Sequence, residues 1–215
     1  MYETVVFDLD GTLLDTLDDL HGAVNAALAA YRLPMRSREE VRAFVGNGIV
    51  KLMERAVGEK DRPDFEGILT AFKAHYKEHC KDKTAAYAGI MPLLSALKEC
   101  GVKTAVVSNK ADFAVKLLAE EYFDGLLLSA VGENESAGIR KKPAPDSLLS
   151  VMEELNADKK TTVYVGDSEV DILTAQNAGV DCLSVTWGFK DRAFLKENGA
   201  KILIDEPSQI LAYCK

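Results

Sequence analysis

Features that define several common protein classes are scarce in this sequence. Its 215 residues include four cysteines that lie far apart and form no C-x-x-C pair, so neither a zinc pattern nor a dense disulfide framework is indicated. No apolar run reaches the roughly 18 residues that a membrane-spanning helix needs, and the charged N-terminal stretch is not typical of a signal peptide. We therefore expect a soluble cytoplasmic protein with reduced thiols and no membrane partner.

Basic residues are also fewer than acidic residues. Lys and Arg total 26 against 34 Asp and Glu, a formal net charge of −8, which argues against a nucleic acid or an anionic membrane as the partner. An anionic ligand must then be captured by local positive groups. The apolar fraction of 47% is ordinary and supplies a core for one large domain, or for one domain with a smaller insertion.

Motifs of several nucleotide-binding and hydrolytic proteins are missing as well. The sequence contains no G-x-x-x-x-G-K-[ST] and no G-x-S-x-G, which argues against a P-loop and against a serine nucleophile elbow. The segment from Gly46 to Gly48 lacks the third glycine of a dinucleotide fingerprint. Gly11 follows Asp8 too early for the glycine of an EF-hand calcium loop.

Hydrophobic patterning divides the chain into two kinds of structure. Helical patterns occupy the stretch from Asp18 to Lys81, including a capping box from Ser37 to Glu40. After residue 85, apolar strand runs such as VKTAVVSN, GLLLSAV and TTVYVGD alternate with helices, which is typical of a parallel sheet covered on both faces. We predict an α/β protein with a Rossmann-like core from residues 1–15 and 85–215 and an inserted all-helical domain from residues 16–84.

Polar residues gather where the predicted strands end. Ligands of open parallel sheets bind beyond the carboxyl ends of the strands. Each group alone also fits a turn or a helix cap, but their occurrence at corresponding strand ends indicates a site. The groups are Asp8 to Thr12 after the first strand, Ser108 to Lys110 after the second, Arg140 to Lys142 in a later loop, and Gly166 to Ser168 with Asp171.

The acidic residues among them predict a divalent cation. Asp8 and Asp10 are two residues apart at a strand end, so their side chains point the same way and repel each other. Convergence with Asp167 would be costly without a cation to share the charge. Oxygen ligands with few His or Cys favour Mg²⁺, which completes its coordination with waters and a substrate phosphate.

Taken together, these segments resemble the four motifs of the haloacid dehalogenase superfamily. DLDGTLLDT resembles the first motif, SN the second, KP the third and GDSEVD the fourth, in the expected order. The resemblance covers essentially the whole chain, and it implies that the inserted helices form a small cap domain.

The resemblance implies a catalytic role for four residues. Asp8 would be the nucleophile that forms an aspartyl-phosphate, and Asp10 the general acid for the leaving group and then the base for water. Ser108 would hydrogen-bond the transferring phosphoryl oxygens, and Lys142 would neutralise the developing charge.

The remaining implied site residues bind the metal or the substrate. Asp8, Asp167 and the backbone carbonyl of Asp10 would hold Mg²⁺, with Asp171 as a further ligand or an orienting residue. The implied substrate-binding residues are Gly11 and Thr12, through backbone donors, Asn109 as a supporting contact, and the cap residues Gly46, Asn47 and Gly48.

The resemblance also implies a phosphatase. Superfamily members that displace halide or cleave phosphonates lack an aspartate at the position of Asp10. The segments FVGNGIVKLMERAV and SVTWGF are similar to those of bacterial phosphoglycolate phosphatases, which implies 2-phosphoglycolate, a small phosphorylated metabolite, as the substrate. We expect a monomer or a homodimer. The alternatives are a β-phosphoglucomutase-like phosphomutase, a pyrophosphatase or nucleotidase, and a non-enzymatic binding module on the same fold.

Overall fold

The computed structural model describes residues 1–58, 63–135 and 138–215. The chain divides into two compact units, one formed by Met1–Leu14 with Ala86–Lys215 and the other by Asp15–Ala85. Among the described residues, no helix is long and apolar enough to cross a membrane. All four cysteines are free thiols.

The larger unit contains a six-stranded sheet in which every pair of neighbouring strands is parallel. Its strand order is β5-β4-β1-β6-β7-β8, and the short strands β2 and β3 pair separately. The parallel sheet predicted from the alternating strand and helix patterns is therefore confirmed. The strands are β1 (Thr4–Phe7), β2 (Leu14–Asp15), β3 (Ala85–Ala86), β4 (Lys103–Ala111), β5 (Ser129–Glu133), β6 (Thr162–Gly166), β7 (Asp181–Val185) and β8 (Ile202–Ile204).

Helices cover both faces of this sheet because successive strand residues point to opposite sides. In β1, Val5 and Phe7 pack in one cluster with helices α5 (Ile90–Glu99) and α6 (Asp112–Phe123). Val6 belongs to a second cluster, with α7 (Asp146–Glu154) and α8 (Glu169–Ala178). A short helix α9 (Arg192–Glu197) and a 3-10 helix (Pro207–Tyr213) complete the unit.

The smaller unit is helical, as its pattern predicts. It contains α1 (Leu17–Ala30), α2 (Arg38–Phe44), α3 (Ile49–Val57) and α4 (Phe65–His79). The predicted capping box at the start of α2 is present, since the Ser37 side chain accepts from the amide of Glu40 and the Glu40 side chain accepts from the amide of Ser37. Buried Leu, Ile, Phe and Ala side chains of α1 and α4 form much of its interior.

Some local expectations were wrong. The segment GLLLSAV does not form a strand from Gly125 onwards, because residues 125–128 turn after α6 and β5 begins at Ser129. Leu126 donates its amide to Phe123 O within this turn. The pairing of β2 with β3 and the C-terminal 3-10 helix were not anticipated, since two-residue strands carry almost no periodicity.

Burial of the α5 face predicts a measurable stability difference within one helix. Leu97 is fully buried, whereas Met91 on the same helix is 40% exposed. Leu97→Ala should lower the free energy of unfolding by about 2–5 kcal/mol because it leaves a cavity, and Met91→Ala by less than about 0.5 kcal/mol. Urea unfolding of both variants measures this; equal losses would contradict the packing described.

Candidate active site

Three acidic side chains converge at the carboxyl ends of β1 and β6, which are neighbours in the sheet. Asp8 directly follows β1, Asp167 directly follows β6, and Asp171 lies in the first turn of α8. One carboxylate oxygen from each lies within 4.8 Å of the others, and all three side chains are buried. We call these residues the acidic cluster.

Lys142 is the cation that contacts this cluster. Its Nζ lies 2.7 Å from Asp171 Oδ1 and 3.0 Å from Asp8 Oδ1, and it donates to the Tyr164 hydroxyl at 2.8 Å. Burial opposes the charge on Lys142, but the Asp171 and Asp8 carboxylates outweigh it and raise the lysine pKa well above its usual value. The sequence-predicted residues Asp8, Lys142, Asp167 and Asp171 are thus brought together.

A single lysine does not offset three buried carboxylates. Burial, together with repulsion from Asp171 and Asp10, raises the pKa of Asp8 to about 6 despite the opposing effect of Lys142. Burial and the charges of Asp171 and Asp8 likewise raise the pKa of Asp167 well above its usual value. The cluster therefore has an excess of negative charge that a further cation would relieve.

The donor atoms of the cluster fit a hard divalent cation. They are all carboxylate oxygens, with no histidine or cysteine among the three residues, as Mg²⁺ prefers. Asp167 is oriented through Oδ2, which accepts from the Phe189 amide at 2.6 Å. A metal ion, as a second cation besides Lys142, can thus be held by carboxylates that the fold already orients.

Asp171 has both carboxylate oxygens engaged. Oδ1 accepts from Lys142, and Oδ2 accepts from the amide of Ser168 at 3.1 Å and from its hydroxyl at 2.6 Å. These bonds also cap the N-terminus of α8. The geometry therefore suits Asp171 to orienting Lys142.

Close packing against glycines restricts the positions of two of these carboxylates. A Cβ atom added at Gly188 would lie 2.3 Å from Asp167 Cβ, and one added at Gly166 would lie 2.3 Å from Asp171 Cγ. Only glycine fits at either position without displacing an acidic side chain. The sequence analysis placed both glycines in motif segments but did not predict this packing role.

The carboxylate of Asp10 lies outside the acidic cluster of the described residues. It accepts two hydrogen bonds from Lys110 Nζ, at 2.8 Å to Oδ1 and 3.1 Å to Oδ2. The Lys110 side chain is only 2% exposed, and that of Asp10 is 14% exposed. The site therefore contains a second buried lysine, which the sequence analysis located at a strand end without giving it a role.

The first turn of the site is held by its own backbone. Gly11 donates its amide to Leu14 O at 2.9 Å, and Thr12 donates its amide to Leu9 O at 3.2 Å. Both amides are thus already engaged, in contrast to the expected role of backbone donors to a substrate. The Thr12 Oγ1 atom, however, is buried with no hydrogen-bond partner among the described residues.

The end of β4 contributes two further predicted residues. Ser108 and Asn109 are both buried, and Asn109 Nδ2 donates to the backbone carbonyl of Lys142 at 3.0 Å. This bond links the loop that carries Lys142 to the neighbouring strand end. Ser108 Oγ accepts a long contact, 3.4 Å, from the Lys110 amide.

The predicted substrate-binding residues Gly46, Asn47 and Gly48 lie in the helical unit, between α2 and α3. Gly46 and Gly48 have positive φ angles of 124° and 82°, a backbone conformation that favours glycine. Asn47 Oδ1 accepts from Arg55 at 2.8 Å. The hydrogen bond from Arg55 therefore stabilises this turn from within the helical unit.

Tyr164 is a residue of the site that sequence reasoning missed. Its hydroxyl accepts from Lys142 and donates to Val107 O at 2.7 Å, and the side chain is fully buried in the middle of β6. The signal was the tyrosine hydroxyl between Val163 and Val165 in a strand predicted to be buried, because a buried hydroxyl requires a partner.

Comparison with known proteins agrees with these motifs. A family model described as haloacid dehalogenase-like hydrolase matches residues 5–185. The phosphoglycolate phosphatase of Pseudomonas syringae pv. syringae is 32% identical over 218 residues, covering 98% of this chain and 79% of that protein. The phosphoglycolate phosphatase of Colwellia psychrerythraea is 32% identical over 221 residues, covering 99% and 97%.

Solved structures agree as well. A Lactobacillus delbrueckii subsp. bulgaricus protein provisionally named a phosphoglycolate phosphatase superposes with a TM-score of 0.93 at 35% identity, covering 97% of this chain and 96% of that one. A predicted phosphoglycolate phosphatase from Haemophilus somnus gives a TM-score of 0.90 at 29% identity, covering 98% and 97%.

The Tyr164 hydroxyl provides a test of the buried network. Tyr164→Phe removes the acceptor for one Lys142 N–H and the donor to Val107, so it should lower the free energy of unfolding by about 1–3 kcal/mol. Tyr2→Phe is the matched control, because its hydroxyl bonds to exposed Asp181 at 2.7 Å and its loss should cost less than about 0.5 kcal/mol. Equal effects in urea unfolding would contradict the proposed importance of burial.

The raised pKa of Asp8 makes its contribution to stability depend on pH. Its pKa is about 6 in the folded protein against 3.8 for an ordinary aspartate, so the stability it confers is full below the lower value and is lost as the pH rises through the higher one. The quantity to measure is the difference in unfolding free energy between wild type and Asp8→Asn, with divalent cations chelated. Wild type should lose up to about 3 kcal/mol relative to the variant as the pH rises from 3.8 to about 6. If wild type instead gained stability relative to Asp8→Asn as the pH rises, the prediction would be contradicted.

Proposed function

Because this chain belongs to the haloacid dehalogenase-like hydrolase family and is a phosphoric monoester hydrolase, we propose that it hydrolyses 2-phosphoglycolate through an aspartyl-phosphate on Asp8. The observation that carries this proposal is the convergence of three buried carboxylates with Lys142 at adjacent strand ends. Such a site is negative overall yet holds a fixed cation, and a divalent ion added to it would attract a phosphate dianion.

Asp8 is the nucleophile in this proposal. Its Oδ1 accepts from the Leu9 amide at 2.7 Å and lies 3.0 Å from Lys142 Nζ, and these contacts hold Oδ1 in place. We assign the attack on phosphorus to Oδ2. A bond then forms between Asp8 and phosphorus while the bond from phosphorus to the leaving oxygen breaks.

Asp10 transfers protons in both halves of the reaction. Its carboxyl gives a proton to the leaving oxygen, which departs as the alcohol of glycolate. The resulting carboxylate then takes a proton from the water that attacks phosphorus, the bond from phosphorus to Asp8 breaks, and inorganic phosphate is released. The two proton transfers cancel, so Asp10 returns to its starting state.

The remaining core residues stabilise charge and orientation. Lys142, held by Asp171 and Tyr164, neutralises charge that develops on the phosphoryl oxygens. Ser108 and the Thr12 hydroxyl, which has no hydrogen-bond partner in the described part of the chain, are suited to hydrogen-bond these oxygens. Asn109 supports the Lys142 loop through its bond to the Lys142 carbonyl.

Mg²⁺ is the cation that we propose for the acidic cluster. Asp8, Asp167 and the backbone carbonyl of Asp10 would hold it. When bound, it would neutralise the carboxylates and polarise a phosphate oxygen. Asp171 serves to position Lys142 in this proposal, since both of its oxygens already accept hydrogen bonds.

The names of similar proteins support 2-phosphoglycolate as the substrate in this proposal. The proteins of Pseudomonas syringae and Colwellia psychrerythraea are named phosphoglycolate phosphatases and match nearly the whole of this chain. We propose that the helical unit acts as a cap that selects this substrate, through the Gly46-Asn47-Gly48 turn. A small cap that excludes water would favour small phosphate esters.

A phosphate-release assay tests the activity. With Mg²⁺ the wild type should hydrolyse 2-phosphoglycolate faster than a panel of sugar phosphates, nucleotides and pyrophosphate, and EDTA should abolish the activity. Asp8→Asn should lower kcat by a factor of about 10³ or more, because it removes the nucleophile. Exposed Asp124 supplies the matched control, since Asp124→Asn keeps the acidic cluster intact.

Acid quenching during turnover tests the intermediate. A phosphoryl group should be recovered on the peptide that contains Asp8, and it should be missing from Asp8→Asn. Phosphate release without this adduct would reject covalent catalysis, and sugar bisphosphate formation in place of phosphate release would indicate a phosphomutase.

A further inference from the structure

We propose that Lys110 is a positioning residue that holds the Asp10 carboxylate in place for the water-activating step. This inference rests on the proposed function, because it assigns Asp10 the proton transfer described above. Lys110 would act through Asp10 and not on the phosphoryl group itself.

The geometry of the pair restrains the Asp10 carboxylate. Lys110 Nζ contacts both oxygens of Asp10, at 2.8 and 3.1 Å, from a side chain that is 2% exposed. Contact with both oxygens fixes the plane of the carboxylate as well as its distance. A proton-transfer group needs this restraint, because small misplacements reduce its efficiency strongly.

Lys110 lies near the end of β4, where the strand pairing is irregular. The pairing of β4 with β5 shifts register between Val107 and Ala111, and Ser108, Asn109 and Lys110 are all buried in succession. Burying a lysine is costly unless it is paired, and here Lys110 is paired with Asp10.

Lys110 and Lys142 contact different carboxylates. Lys142 contacts Asp8 and Asp171 within the acidic cluster, whereas Lys110 contacts Asp10, whose carboxylate lies outside the cluster of the described residues. Asp10 follows Asp8 by two residues and would otherwise be repelled by it. Lys110 provides an attraction that keeps the carboxylate at one location.

Single-turnover kinetics with p-nitrophenyl phosphate and Mg²⁺ separate the two half-reactions. Nitrophenolate is a good leaving group and departs without a proton from Asp10, whereas phosphate release requires the water step. The variants are Lys110→Met, Lys110→Arg, Asp10→Asn and the double variant Asp10→Asn/Lys110→Met. Lys116→Met is the control, because Lys116 pairs with Asp112 at 2.7 Å from a side chain that is 64% exposed.

Lys110→Met should slow phosphate release about tenfold or more and change nitrophenolate release by less than about twofold. Lys110→Arg should retain most of the phosphate-release rate, and Lys116→Met should match wild type in both rates. Because Lys110 acts through Asp10, adding Lys110→Met to Asp10→Asn should change the rates by less than about twofold. The double variant also keeps the inference testable if Lys110→Met alone fails to fold, since it removes both charges.

Three outcomes would overturn the inference. Equal slowing of both steps would indicate a general structural role, and a further tenfold loss in the double variant would indicate that Lys110 acts independently of Asp10. A raised KM for 2-phosphoglycolate with unchanged phosphate release would assign Lys110 to substrate binding. If the wild type releases neither nitrophenolate nor phosphate, the proposed function itself has failed, which is distinct from all three.

Discussion

The crowding of three buried carboxylates against one lysine is the constraint on which the rest of this structure depends. Burial, together with repulsion among the three carboxylates, raises the pKa of Asp8 and of Asp167, so the arrangement has to be enforced by the surrounding fold. Parallel strands β1 and β6 bring two of them to one edge, and glycines at 166 and 188 leave room that a side chain would fill. The fold thus stabilises an arrangement that is unfavourable by itself, and a bound cation would relieve it.

Two buried lysines divide the site between them. Lys142 is fixed by Asp171, Asp8 and Tyr164, which places a positive charge beside the proposed nucleophile. Lys110 is fixed on Asp10, the residue to which we assign proton transfer. The two lysines contact different carboxylates. Lys142 can therefore balance the charge of a phosphoryl group while Lys110 orients the proton-transfer residue Asp10. Preorganisation of this kind is expected to supply most of the rate enhancement in phosphoryl transfer.

The sequence predicted the sheet and the convergence of Asp8, Lys142 and Asp167, because apolar strand runs end directly in polar residues and parallel strands share one edge. It did not predict the partner of Asp10, because that contact joins side chains 100 positions apart in the sequence, which local periodicity does not encode. Tyr164 was hidden inside an apolar run, and its role follows only from which strand lies beside it. The engaged amides of Gly11 and Thr12 were also missed, since turn hydrogen bonds are not specified by residue type alone.

Calorimetric titration with Mg²⁺ tests most directly the claim that the acidic cluster is built to hold a divalent cation. We predict that the wild type binds a single ion per chain, that Asp167→Asn loses this binding, and that the control Asp124→Asn retains it. Binding that survives Asp167→Asn unchanged, or no binding by a folded wild type, would contradict the account.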